Sequence, residues 1–145
     1  MGGEVSWQVE LAVKPGQLDN FRALTGEMVE STKREPGALI YERFVSEDGK
    51  GVYVYERYAD SAAAVAHLQA FGRIYGERFA KMVERRRFTV FGTPSDELKG
   101  ILDGFGATYL GPFAGFSRFQ GKGGQTMGWE LRNMLYASFA RTVDD

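Results

Sequence analysis

Apolar positions change their period several times along this chain, and each change marks an element. Val5, Trp7, Val9, Leu11 and Val13 alternate with Ser6, Gln8, Glu10, Ala12 and Lys14, a period of two that predicts a half-buried strand. Pro15-Gly16 interrupts it. Leu18, Phe21, Leu24, Thr25, Met28 and Val29 then recur at the spacing of one helix face. Pro36-Gly37 ends that helix, because proline disfavours helical backbone at the preceding Glu35. Ala38 to Val45 reads as a second strand and Val52 to Tyr58 as a third, joined by Glu47-Asp48-Gly49-Lys50-Gly51 with its Asp-Gly turn chemistry. Asp60 or Ser61 caps the next helix. Ala64, Leu68 and Phe71 form one stripe of it, with His67 beside the stripe. Gly72 permits a break or bend, and Ile74, Tyr75, Phe79, Met82 and Val83 carry the helical pattern to Arg85-Arg86-Arg87. Phe88 to Phe91 is a fourth strand, closed by Gly92-Thr93-Pro94.

This order, β-α-β-β-α-β, is that of an α+β ferredoxin-like sandwich, a four-stranded antiparallel sheet with helices on one face. The third strand sets Val52, Val54, Glu56 and Tyr58 against Tyr53, Tyr55 and Arg57, and the second sets Leu39, Tyr41 and Val45 against Ile40 and Phe44. Neither strand has a plainly polar side. A sheet apolar on both faces needs a second cover, and another copy of the chain is the economical one. The expectation is a homodimer with two sheets packed face to face. The first domain then spans residues 1–94. Residues 95–119 are expected to start as a helix at Ser95-Asp96-Glu97-Leu98, running to about Leu102, and to continue as a Gly- and aromatic-rich arm packing on the domain or its partner. Residues 120–145 read as a Gly-rich linker, Gly121-Lys122-Gly123-Gly124, and an amphipathic helix carrying Met127, Leu131, Met134, Leu135 and Phe139.

Composition narrows the chemistry. With 18 basic and 19 acidic side chains there is no field to favour nucleic acid or an acidic membrane, so neither is expected as a partner. No apolar run approaches a membrane span, and Met-Gly-Gly-Glu-Val lacks a signal-peptide pattern. A chain without cysteine has no thiolate catalysis, zinc ribbon or iron–sulfur cluster, which fits a cytoplasmic location. The single histidine and the unclustered carboxylates give a metal site little support. The Gly121-Lys122-Gly123-Gly124 run lacks the Gly-Lys-Ser/Thr of a phosphate loop. No cofactor or metal is expected.

What remains centres on His67. A neutral imidazole beside a phenol or quinol hydroxyl removes its proton at neutral pH. The electron-rich anion so formed can reduce dioxygen by one electron without flavin or metal. The competing reading is a structural histidine bonded to Glu56 or to a backbone carbonyl, tying helix to sheet. Glu56 either orients His67 or makes a cross-strand pair with Arg43 or Arg57. Tyr58 joins Glu56 and His67 as a catalytic candidate. Tyr41, Phe71 and Tyr75 are candidates for a substrate pocket, while Tyr53 and Tyr55 suit packing at an interface. The arginines fit a helix C-terminus, where the dipole favours cations; in a functional version Arg86 stands at the pocket mouth and holds a carboxylate or phenolate.

The segment Tyr-Glu-Arg-Tyr-Ala-Asp-Ser-Ala-Ala-Ala-Val-Ala-His-Leu, with Pro36-Gly37 ahead of the second strand, resembles the antibiotic biosynthesis monooxygenase family of dimeric α/β barrels over roughly Val5 to Phe91. Gly106 to Phe116 is similar to C-terminal extensions of some members. The resemblance implies a cofactor-independent monooxygenase acting with dioxygen on an electron-rich aromatic or quinol-type small molecule. The alternative is a non-catalytic dimeric barrel that binds a small hydrophobic ligand. The sequence departs from the family where Tyr58 stands in place of a frequent Trp, and where Gln69-Ala70-Phe71-Gly72 lacks the second His of quinol-oxidising members. Haem-degrading relatives use a His that the region around Tyr75 and Arg78 does not offer.

Overall fold

The computed structural model describes residues 3–118; the linker and amphipathic helix expected over 120–145 lie outside the described residues. The elements are β1 (Val5–Val13), α1 (Leu18–Thr32), β2 (Ala38–Val45), β3 (Gly51–Tyr58), α2 (Ser61–Ile74), α3 (Gly76–Met82), β4 (Val83–Phe91), α4 (Asp96–Asp103) and β5 (Thr108–Leu110). The sheet order is β2-β3-β1-β4-β5. The first four strands pair antiparallel, in the ferredoxin-like order expected. A fifth strand lies parallel to β4, pairing Thr89, Val90 and Phe91 with Thr108, Tyr109 and Leu110. The ladder thus continues into the region expected only as an extended arm. Pro112 closes this compact unit. Of the second unit, residues 113–118 are described, with Phe113 and Phe116 exposed.

The alternating pattern of β1 explains its central place. Val5, Trp7, Val9 and Leu11 all bury toward the helices, beside Val52, Val54 and Tyr58 of β3 and Phe88 and Val90 of β4. α1 meets them with Phe21, Leu24, Met28 and Thr32, spaced by three or four residues. Burial of such side chains stabilises the sandwich by about 1.5–3 kcal/mol each. Local signals hold the ends. Asp60 accepts from the Ala63 amide at the start of α2, and Ser95 accepts from the Leu98 amide at the start of α4. In the β2–β3 loop Asp48 Oδ1 accepts from Ser46 Oγ and the Lys50 amide, while Gly49 takes a φ of +72°, which favours glycine.

Two helical expectations need correction. The helix after Asp60 is two helices, and the break falls at Tyr75 rather than at Gly72. The arginines do not cap a helix. Arg85, Arg86 and Arg87 lie inside β4, which begins at Val83 because β1 is long enough to pair with all of it: Val13 faces Val83, Leu11 faces Arg85 and Glu10 faces Arg87. Between Glu10 and Leu11 the register shifts by one residue, leaving Arg86 as the extra residue of a β-bulge.

The join between β2 and α2 is close. A Cβ built on Gly37 would stand 2.5 Å from the Ala63 Cβ, a contact that both backbones would have to relax. We expect Gly37→Ala to lower stability by about 1–3 kcal/mol through overpacking, and Ala63→Gly placed on top of it to recover part of the loss. Urea unfolding of the two single variants and the double variant measures this coupling directly.

Candidate functional site

The helix-facing surface of the sheet and the helices above it enclose a cavity of about 40 Å³, open at its mouth. β1 contributes Trp7, Val9 and Leu11; β2 contributes Tyr41 and Arg43; β3 contributes Val54 and Glu56. α2 and α3 roof it with His67, Leu68, Phe71 and Phe79, and Arg85, Phe88 and Phe105 close the remaining side. The volume suits a few water molecules, since a single probe sphere takes about 10–15 Å³; pockets for drug-sized ligands run roughly 300–1,000 Å³.

At the deep end lies a buried carboxylate. Register explains how it is surrounded: on β3, Glu56 faces Trp7 of β1 and Tyr41 of β2. Glu56 Oε1 accepts from Trp7 Nε1 at 3.1 Å and from Tyr58 Oη at 2.7 Å, and Oε2 accepts from Arg43 at 2.6 Å. The Arg43 guanidinium also sits 3.6 Å from the centroid of the Tyr41 ring. Arg43 Nε is buried and has no acceptor among the described residues. Removing one partner of such a buried pair costs about 3–5 kcal/mol, because the other charge is left uncompensated.

His67 hangs over this carboxylate from α2. Its side chain is nearly inaccessible, with 6% exposed, and its ring stands 5.1 Å from the Tyr58 centroid and 5.5 Å from that of Tyr41. Nδ1 is 3.0 Å from Glu35 Oε1, whereas Nε2 is 3.7 Å from Glu56 Oε1. The hydrogen-bonding carboxylate is therefore Glu35, and Glu56 is an ionic neighbour beyond hydrogen-bond reach. An ionised carboxylate only accepts, so this bond places the neutral ring's proton on Nδ1 and leaves the Nε2 lone pair free.

Glu56, His67, Tyr41 and Phe71 thus line one cavity. Tyr58 does not line it; fully buried, it donates to Glu56 from behind. Tyr75 caps the junction of α2 and α3 outside the lining, where Arg78 lies 5.6 Å over its ring. Arg86 is exposed and 3.4 Å from Glu84, so the position expected for it at the mouth is corrected: the bulge turns Arg85 inward instead. Arg57, the other arginine weighed for Glu56, pairs with Glu4. Sequence reasoning missed Glu35, Trp7 and Arg85. The Trp7–Glu56 pairing was implicit in the alternation of the two strands, but only their register reveals it. Glu35 carried no signal beyond its place before Pro36-Gly37. Among the described residues no group of three or more His, Asp or Glu side chains could hold a metal ion, and no helix is long and apolar enough to cross a membrane.

The two phenols are held protonated. Burial pushes Tyr58 well above its ordinary value, and the charge and hydrogen bond of Glu56 add to it. Burial likewise pushes Tyr41 up to about 12, with Arg43 opposing in part. In the unfolded chain a tyrosine titrates near about 10. On raising the pH the unfolded state therefore loses the Tyr41 proton first, and the stability this group contributes is full below pH ~10 and lost as pH climbs through ~12. Tyr41→Phe is expected to flatten the decline of stability over that alkaline window, followed by denaturant unfolding at stepped pH. Its ultraviolet phenolate titration is expected to lose a late-ionising component.

The antibiotic biosynthesis monooxygenase family matches residues 5–85. MupZ from Pseudomonas fluorescens superposes with a TM-score of 0.72 at 24% identity, over 80% of this chain and 95% of that one. Protein SO0527 from Shewanella oneidensis gives 0.52 at 25% identity, over 62% and 88%. SnoaB from Streptomyces nogalater, a cofactor-independent oxygenase, gives 0.56 at 15% identity, over 64% and 95%. No curated protein matches the chain.

Proposed function

We propose a function from one premise: the chain belongs to the antibiotic biosynthesis monooxygenase family. Our reading is a cofactor-independent monooxygenase that acts with dioxygen on an electron-rich aromatic or quinol-type small molecule. SnoaB, which shares the fold, is a cofactor-independent oxygenase. The observation that carries the reading is the placement of His67, with Nδ1 tied to Glu35 and Nε2 free at the cavity wall.

In this reading Nε2 takes the proton of a substrate hydroxyl or of an activated CH₂. The imidazolium formed lies between Glu35 and Glu56, at 3.0 and 3.7 Å, so both carboxylates stabilise the charge that proton transfer creates. Glu56 is itself fixed by Trp7, Tyr58 and Arg43, and so costs no reorganisation when His67 charges. The substrate anion passes one electron to dioxygen, the radical and superoxide combine, and the peroxide collapses. For a CH₂ centre one oxygen atom ends as C=O and the other leaves as water, with the substrate supplying every electron. The protein's part is to orient the ring among Phe71, Phe79, Phe88 and Phe105, exclude water, and return the proton from Nε2.

A flat aromatic needs more than the present volume, and α3 is the wall suited to yield. It has seven residues, none of them buried, and follows the break at Tyr75, yet it carries Phe79 into the lining. The strands on the opposite wall are fixed by their ladders. The narrowness of the cavity is also what favours a second reading, a barrel that binds a small hydrophobic ligand without turnover.

We propose in addition that a second copy of the chain covers the sheet face opposite the helices. Phe44 and Tyr53 pair across β2 and β3 on that face, 58% and 42% exposed, with Ile40 and Tyr55 beside them. Such exposed aromatics in register suit a partner sheet. Phe44→Asp with Tyr53→Asp is expected to turn a dimer into a monomer in sedimentation velocity; an unshifted species would remove this face from the interface.

Dioxygen uptake with a panel of hydroquinones and anthrones tests the catalytic reading. His67→Ala is expected to lower kcat by about a hundredfold or more, within the usual range for a lost general base. Glu35→Gln is expected to shift the pH profile of kcat with a smaller loss. Equal uptake by wild type and His67→Ala would remove His67 from the chemistry. Ligand-dependent melting shifts with no uptake would support the binding barrel instead.

A further inference from the structure

Charge in the cavity lining does not balance. Three of its side chains are formally charged: Glu56, Arg43 and Arg85. Glu56 and Arg43 neutralise one another through a 2.6 Å contact. Arg85 has no carboxylate partner among the described residues. Its guanidinium instead lies 4.3 Å from the Phe105 ring centroid and 5.4 Å from that of Phe79. Two aromatic faces thus steer the cation without consuming its hydrogen-bond donors. Arg85 is exposed yet lines the cavity, so it stands where the cavity opens to solvent. Protein packed around part of the side chain lowers its pKa by desolvation, but a guanidinium in this position stays charged at neutral pH.

Two further features point the same way. The β-bulge at Arg86 gives Arg85 the cavity-facing side of β4, the side shared by Phe88 and Val90. Arg43, on the opposite wall, keeps a buried Nε with no acceptor. The lining is therefore rich in aromatic surface and carries at its mouth one guanidinium with no carboxylate partner among the described residues, with a second cation deeper in that keeps an unsatisfied donor. A ligand that completes it has a flat apolar body and an anionic oxygen group at one end.

We infer that the cavity selects an aromatic carboxylate, with the carboxylate on Arg85 at the mouth and the ring hydroxyl directed inward to His67. This rests on the reading of the cavity as the substrate site. A planar guanidinium fork suits a carboxylate in two-point contact, and Phe105 beneath it limits the directions from which that contact forms. An uncharged aromatic of equal size fills the same walls but leaves Arg85 unmatched.

Calorimetric titration with 6-hydroxy-2-naphthoate and with 2-naphthol isolates the carboxylate, since the two probes share ring and hydroxyl and the acid carries its carboxylate at the far end of the ring system from that hydroxyl. The wild-type protein is expected to bind the acid about tenfold or more tightly, in line with the strength of a charge-assisted contact. Arg85→Gln is expected to erase that preference, read as the ratio of the two affinities in the same variant, whereas Arg86→Gln keeps it. Raising sodium chloride tenfold is expected to weaken the acid and not the naphthol, a readout that needs no variant. Equal affinity for both probes, a preference that survives Arg85→Gln, or failure of both probes to bind overturns the assignment. Binding is read without turnover, so the two readings fail separately. Loss of the oxygenase reading appears as absent dioxygen uptake with the calorimetric preference intact.

Discussion

One carboxylate organises the interior. Glu56 sits on the middle of the helix-covered face, and three strands converge on it: Trp7 from β1, Arg43 from β2 and Tyr58 from its own strand each donate to it. A lone charge at that depth would be prohibitive. Its presence therefore demands all three donors, and their geometry demands the registers that bring them in. Trp7 directly opposite Glu56 is possible only if β1 and β3 pair as they do. The same carboxylate places a fixed negative charge 3.7 Å from the imidazole, so fold specification and site electrostatics share one group.

The walls of the site are built differently. The sheet side is held by β ladders and by the Glu56 network. The break at Tyr75 separates α3 from α2, and none of the α3 residues is fully buried, although Phe79 packs on Phe71.

Much of this was legible in the amino-acid order. Alternation in β1, the Pro36-Gly37 stop, the Asp48-Gly49 turn and the Asp60 cap are local signals, and all four stand where the sequence puts them. His67, Glu56, Tyr41 and Phe71, each a candidate in the sequence, line one cavity, though their mutual distances had no marker there. What escaped was set by long-range pairing. Glu35 reaches His67 across 32 positions. The pattern through Met82 and Val83 continued a helical period, yet Val83 obeys its pairing with Val13 on the central strand, and tertiary pairing outweighs local periodicity there. A bulge has no marker in composition, so counting by twos back from Phe88 selects Arg86 when the strand presents Arg85.

That bulge bears on descent as well as on shape. With Arg86 as the supernumerary position, the ladder on each side keeps its own facing: Phe88 and Val90 look inward below it, Arg85 and Val83 above it. Excising position 86 would restore an uninterrupted ladder without turning any of these four outward. Homologues can therefore differ in length by one residue in the middle of this strand while conserving the pocket. An alignment gap at that point marks a change in strand bending, not a loss of the arginine that faces the cavity.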